Sequence, residues 1–119
     1  MAHNAELGRR GEQLAVDHLE ARGMSVLERN WRCRLGEIDI VAEDGGDLVF
    51  IEVKTRSNGD YGHPFEAITP IKLARLRRLA IAWCEASDSS AAVRIRIDAV
   101  AVLVPAEAPA LIEHLEGIS

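Results

Sequence analysis

Apolar side chains recur at helical spacing near the start of the chain. Leu7, Gly11, Leu14, Ala15 and Leu19 fall on one face of a helix that Asn4 can cap, and the pattern predicts its end at about Arg22, just ahead of Gly23. The period then changes. Val26 to Arg32 alternates weakly and reads as a first strand, and in a second one Ile38, Ile40 and Ala42 alternate with Glu37, Asp39 and Val41. Asp44-Gly45-Gly46-Asp47 is a strong turn signal, because paired glycines suit the left-handed backbone of a tight hairpin. The third strand, Leu48 to Lys54, is apolar almost without interruption until Glu52, as expected of a strand covered on both faces.

Ser57 to Phe65 holds Asn58, Gly59, Gly62 and Pro64 and predicts a loop. Thr69-Pro70 opens a second helix, with Thr69 as its cap, Pro70 at the first helical position, and Leu73, Leu76, Ala80, Trp83 and Cys84 as its apolar stripe. After a polar break at Ser87 to Ser90, Val93 to Val104 alternates as a fourth strand ended by Pro105. Ala110 to Leu115 is a short apolar piece whose type the pattern does not decide. Helix, three strands, helix, strand is an order in which the helical crossover sets strands three and four parallel. The expected fold class is therefore α/β, a single domain over residues 1–119 with helices packed on a mixed sheet, antiparallel first and then parallel.

Composition narrows the function classes. The 119 residues suffice for one compact core. No apolar run approaches the roughly 20 residues that span a bilayer, and the N-terminal residues lead straight into a charged helix without an export signal. The expectation is a cytoplasmic protein with no membrane partner. Cys33 and Cys84 are read as reduced thiols, and His3, His18, His63 and His114 lack the close pairing of zinc ligands. The net charge of −5 argues against a constitutive nucleic-acid binder, but the excess is uneven. Residues 1–84 carry 12 basic and 13 acidic side chains, whereas 85–119 carry 2 and 6, so most of the surplus acid lies away from the hairpin.

The hairpin carries the candidate chemistry. With Gly45-Gly46 at its centre, paired residue numbers sum to 91, which sets Asp39 opposite Glu52. Directly opposed residues share a face with Cβ atoms about 4.5–5.5 Å apart, and Lys54, two positions past Glu52, points the same way. Two carboxylates about 5 Å apart repel by roughly 3 kcal/mol at an effective dielectric of 20. A divalent cation converts that repulsion to attraction, and Mg²⁺ takes one or two carboxylates together with waters and phosphate oxygens. A neighbouring lysine can orient the attacking water or hold charge on a phosphate. The alternative is a surface ion-pair cluster, since an isolated Glu-x-Lys occurs by chance everywhere.

Gly36-Glu37-Ile38-Asp39, the turn, and Phe50-Ile51-Glu52-Val53-Lys54-Thr55-Arg56 resemble the PD-(D/E)xK nuclease motif, in the form found in archaeal Holliday junction resolvases. More closely, the whole chain resembles the bacterial YraN family of uncharacterised proteins, through Gly8-Arg9-Arg10-Gly11-Glu12, the hairpin, Tyr61-Gly62, Ala67-Ile68-Thr69-Pro70 with Lys72, and Ile112-Glu113-His114. The motif's proline is replaced here by Ile38. The resemblance implies restriction-endonuclease-like αβα layers, with Asp39 and Glu52 as ligands for Mg²⁺ (or Mn²⁺) and Lys54 as the catalytic lysine. It also implies DNA, branched or otherwise structured, as the substrate, and a homodimer by analogy with resolvases.

Glu12 lies roughly 80° from the centre of its helix's apolar stripe. It is a candidate catalytic residue and third metal ligand, because resolvase-like nucleases carry a glutamate in this helix; a solvated helix flank is the equal alternative. Glu37 is read as an ion-pair partner of a nearby arginine, and Asp98, with Arg94 and Arg96 beside it, as a structural acid. Thr55 and Arg56 follow the catalytic strand, Arg9 and Arg10 open the first helix, and Lys72, Arg75 and Arg78 make a stripe from the N-terminal end of the second. These are the candidate nucleic-acid contacts. Trp31 can stack on bases, while Trp83 sits on the apolar stripe. Three functions fit: a Mg²⁺-dependent endonuclease, a non-catalytic nucleic-acid-binding or assembly module on the same fold, and a hydrolase for a smaller phosphate ester.

Overall fold

The computed structural model describes residues 2–58, 62–88 and 94–119. Its elements follow in the order α1 (Ala2–Ala21), β1 (Ser25–Cys33), β2 (Gly36–Asp44), β3 (Asp47–Arg56), a short 3-10 turn (Pro64–Ala67), α2 (Pro70–Ala86), β4 (Ile95–Leu103) and β5 (Leu111–Leu115). The five strands form one sheet in sequence order. β1–β2, β2–β3 and β4–β5 are antiparallel, and β3–β4 is the parallel pair that the helical crossover requires. The undecided C-terminal piece is thus a strand, closing the sheet as its second edge.

α1 packs on one face and α2 on the other. Ala15, Val16 and Leu19 of α1 bury against Ile40, Ala42, Val49, Ile51, Val100 and Val102. On the opposite face Leu76, Leu79, Ala80 and Trp83 of α2 bury against Val41, Phe50 and Ile97, with the Phe50 and Trp83 rings edge to face at 5.7 Å. Each such large side chain contributes about 1.5–3 kcal/mol by leaving water, so two facing cores anchor the central strands β3 and β4. Leu79, absent from the stripe read in the sequence, belongs to this second core.

Helix ends follow local chemistry. Thr69 caps α2, its Oγ1 accepting the Lys72 N–H at 3.2 Å, with Pro70 in the first turn. Gly23, at φ 92°, turns the chain after α1. Asn4, by contrast, is not a cap, because α1 already starts at Ala2 and Asn4 falls within its first turn. Gly59 and Tyr61 in the loop, Ser89 and Ser90 of the polar break, and Val93 at the expected start of the fourth strand lie outside the described residues. β4 itself begins at Ile95.

Candidate active site

From the turn upward the hairpin keeps the register read in the sequence, Asp44 with Asp47 through Ile40 with Ile51. There the ladder stops. Asp39 is not paired through its backbone; instead its Oδ2 accepts the Val53 N–H at 2.8 Å. The alternation of β2 slips at the same place, for Ile40 and Ala42 face the α1 core whereas Ile38 packs in the α2 core. β1 changes face beside it: Arg29 reaches α1, Trp31 joins the α2 core, and Asn30 between them has φ 55°. The strict alternation of Ile38, Ile40 and Ala42 expected from sequence is therefore corrected. β2 twists sharply at Asp39 and parts from β3, opening a cleft at the end of the sheet.

Asp39 lies in that cleft close enough to Glu52 for the second carboxyl group to act on the first. Burial, then the hydrogen bond to Glu52 and its charge, push the Asp39 carboxyl up to about 8, against the opposing pull of the Val53 N–H. Lys54 Nζ lies 3.9 Å from Glu52 Oε2. Lys72, in the first turn of α2, lies close enough to Lys54 for that lysine, and burial after it, to lower its pKa. Two ammonium groups and two carboxyl groups share one cleft.

α1 closes the other wall. Gly11 stands so near β3 that a Cβ there would lie 2.0 Å from Thr55 Oγ1, so the helix can approach only without a side chain at this point. The contact sets the next residue, Glu12, over the cleft. Its Oε2 accepts from Arg29 Nη2 at 2.7 Å, Arg29 Nε at 3.2 Å and Asn30 Nδ2 at 3.1 Å. Glu12 and Asp39 both line an open cavity of about 850 Å³, together with Arg9, Lys54, Arg56 and Asn58. Among the described residues, no three of the acids, histidines and cysteines stand close enough to form a metal-holding set. The structure brings together Asp39, Glu52 and Lys54, and holds the Glu12 carboxylate apart on β1.

Other candidates fall into place. Glu37 pairs with Arg32 at 2.9 Å. Asp98 is fully buried on β4 and accepts from Arg96 Nε, Arg96 Nη2 and the Gly117 N–H, with His114 Nε2 at 2.8 Å. Burial alone would raise it, but His114, Arg96 and the Gly117 N–H outweigh burial and hold it below the usual carboxylate range. Asp98 is a structural acid. Trp83 is core, its Nε1 donating to Glu28, and Trp31 is half-buried against the same cluster. Thr55 lines the cavity with its side chain packed on Gly11. Arg56 is half-buried at the rim, Arg75 and Arg78 are exposed along α2, and Lys72 turns inward from them. Arg29 and Asn30 escape sequence reasoning because nothing local marks them: their partner is 17 or 18 residues away on a helix.

The family model described as "Uncharacterised protein family UPF0102" matches residues 11–102. The chain belongs to family UPF0102. The match runs from Gly11 through the hairpin and α2 to β4, so it contains Asp39, Glu52, Lys54 and Lys72. Similar proteins are UPF0102 proteins of Arthrobacter sp., 55% identical over 94% of this chain and 94% of the relative, and of Pseudarthrobacter chlorophenolicus, 54% identical over 95% and 85%. A UPF0102 protein of Renibacterium salmoninarum is 52% identical over 99% of both chains. No helix among the described residues is long and apolar enough to cross a membrane.

Proposed function

We propose that this protein is a Mg²⁺-dependent endonuclease that hydrolyses phosphodiester bonds in DNA. The observation that carries the reading is the Asp39–Glu52 carboxyl pair in the cleft where β2 leaves β3, with Lys54 3.9 Å from Glu52. The donor set fits the ion. Two adjacent oxygen ligands at an open cavity suit a hard cation that keeps several waters, and the Glu52 charge that adds to burial in raising Asp39 is a repulsion the cation would relieve. Asp39 and Glu52 would hold the cation, with Glu12 on the opposite wall free to join only by leaving Arg29 and Asn30. When bound, Mg²⁺ supplies a Lewis acid and lowers the pKa of water.

The protein's own groups do the rest. The Val53 N–H fixes the Asp39 carboxyl at the mouth of the cleft. Lys54 presents an ammonium group to the phosphate, orienting the attacking water and opposing the charge that grows on the phosphoryl oxygens. Arg9 and Arg56 on the cavity wall would take the flanking phosphates. Branched DNA is the preferred substrate class on the resolvase likeness alone, and a homodimer would supply two symmetric cuts.

A binding or assembly module is the second reading, favoured by the Glu12 carboxylate being saturated by Arg29 and Asn30 and by the net charge of −5. Titrating Mg²⁺ into the protein with duplex, single-stranded, flap and four-way-junction DNA separates the two. The nuclease reading expects cleavage that Lys54→Ala lowers about 10²-fold or more while Mg²⁺ binding survives. Binding without cleavage supports the module, and unchanged cleavage by Lys54→Ala removes the lysine from the mechanism.

A further inference from the structure

The histidines are scattered along the chain, yet the fold brings two of them into contact. His18, near the end of α1, and His114, on β5, are 96 residues apart, and His18 Nε2 stands 3.2 Å from His114 Nδ1. Their rings meet edge to face, at 70° with centroids 5.2 Å apart. His114 is held from behind. Its Nε2 lies 2.8 Å from Asp98 Oδ2, and its side chain is only 2% exposed. An ionised carboxylate can only accept, so Nε2 carries the proton, and in the neutral ring Nδ1 turns its lone pair towards His18. Asp98 is itself fixed by Arg96 at 2.9 and 3.0 Å and by the Gly117 N–H at 2.9 Å.

A metal-binding imidazole has this setting: one ring nitrogen on a carboxylate, the other left for the ion. Zinc–nitrogen bonds of about 2.0–2.1 Å at the tetrahedral angle set two ligand nitrogens about 3.3 Å apart. The 3.2 Å between His18 and His114 matches that span, and it lies at the long end of the range for a hydrogen bond. We propose that His18 Nε2 and His114 Nδ1 bind a borderline divalent metal ion such as Zn²⁺, with Asp98 as the positioning residue behind His114 and water completing the shell. Half-buried His18 is the open side of the site. Arg22, the cation that acts on His18, is already paired with Glu116 at 2.5 Å. Imidazole nitrogen favours zinc, whereas Mg²⁺ takes oxygen. Neither histidine lines the cleft cavity, and β5 lies two strands from β3, so this ion is separate from the one proposed for Asp39 and Glu52. It would tie α1 to the edge strand β5.

The test uses the full chain with Zn²⁺ alone as the probe, in excess Mg²⁺, with thermal melting, calorimetric titration and the imidazole nitrogen NMR signals as readouts. Zn²⁺ should shift the ring nitrogens of His18 and His114 together, leave those of His63 in place, and raise the melting temperature. His18→Gln removes one ligand from a half-buried position and should abolish that rise. Asp98→Asn should weaken Zn²⁺ binding about 10–100-fold, although Asp98 does not touch the ion. Should Asp98→Asn fold poorly, His18→Gln and the wild-type ring signals still decide. His63→Ala is the control and should bind Zn²⁺ as wild type does. Failure to bind Zn²⁺ at millimolar concentration would overturn the site. So would Zn²⁺ binding that His18→Gln leaves unchanged, or that moves the ring signals of neither His18 nor His114.

Discussion

The acid pair in the cleft has a thermodynamic consequence that Asp39→Asn isolates. In the unfolded chain Asp39 titrates at its ordinary 3.8, whereas in the folded protein it is pushed up to about 8. Its folded pKa is the raised one, so the contribution of this group to stability is fully present below pH 3.8 and is lost as pH climbs through the interval up to about 8. Between pH 3.8 and 7, at 1.36 kcal/mol per unit, the decline is about 4 kcal/mol before relaxation, and about 2 kcal/mol with the solvent reaching this half-buried group. Asparagine keeps the useful contacts, since its Oδ1 can accept the Val53 N–H and its amide can donate to Glu52. The variant should therefore be more stable than wild type by about 2 kcal/mol at pH 7, or about 6–10 °C in melting temperature. The difference should shrink towards zero near pH 4. Urea unfolding of both proteins from pH 4 to 9, without metal, measures it. Adding Mg²⁺ should then raise the wild-type melting temperature more than that of the variant, because the ion needs the ionised carboxylate. A stability difference that stays flat with pH would show that Asp39 is not strained by its neighbours, and equal Mg²⁺ shifts would place the ion elsewhere.

Asp98→Asn should destabilise the protein by about 3 kcal/mol at pH 7, since it leaves Arg96 and His114 without their buried carboxylate. Because Asp98 is held below its ordinary pKa, that loss should narrow as pH falls below about 4, which denaturant melts at pH 7 and pH 3 can compare. Gly11→Ala should cost about 1–3 kcal/mol and lower any cleavage, as the new methyl collides with Thr55 and pushes α1, with Glu12, off the cleft. Melting and activity measured together on that variant check both effects. Replacing Arg75 and Arg78 with alanine should flatten the slope of log DNA affinity against log salt by up to about two units, with little change in stability. An unaltered slope would make them solvated residues only.

Neighbouring residues along the chain specify the local elements and one half of the site. The helical spacing of Leu7 to Leu19, the Thr69-Pro70 cap and the Gly45-Gly46 turn are local features, and local features are read from neighbours along the chain. A symmetric two-residue turn fixes the pairing arithmetic of a hairpin, so the register from Asp44 and Asp47 to Ile40 and Ile51 followed from numbers alone. What the numbers could not reveal is where the ladder ends. Asp39 approaches Glu52 because β2 twists away beside Asn30, and a positive φ at one asparagine has no signature in its neighbours. The clamp of Arg29 and Asn30 on Glu12, the close approach at Gly11, and the turn of Lys72 towards Lys54 each join elements whose distance is set by packing. Asp98 shows the same division: its place on a strand was legible, but its burial with Arg96, His114 and the Gly117 N–H exists only because the C-terminal strand folds back along β4. Periodicity specifies which face a residue turns to, whereas the distance between two faces is decided by the side chains that fill the space between them.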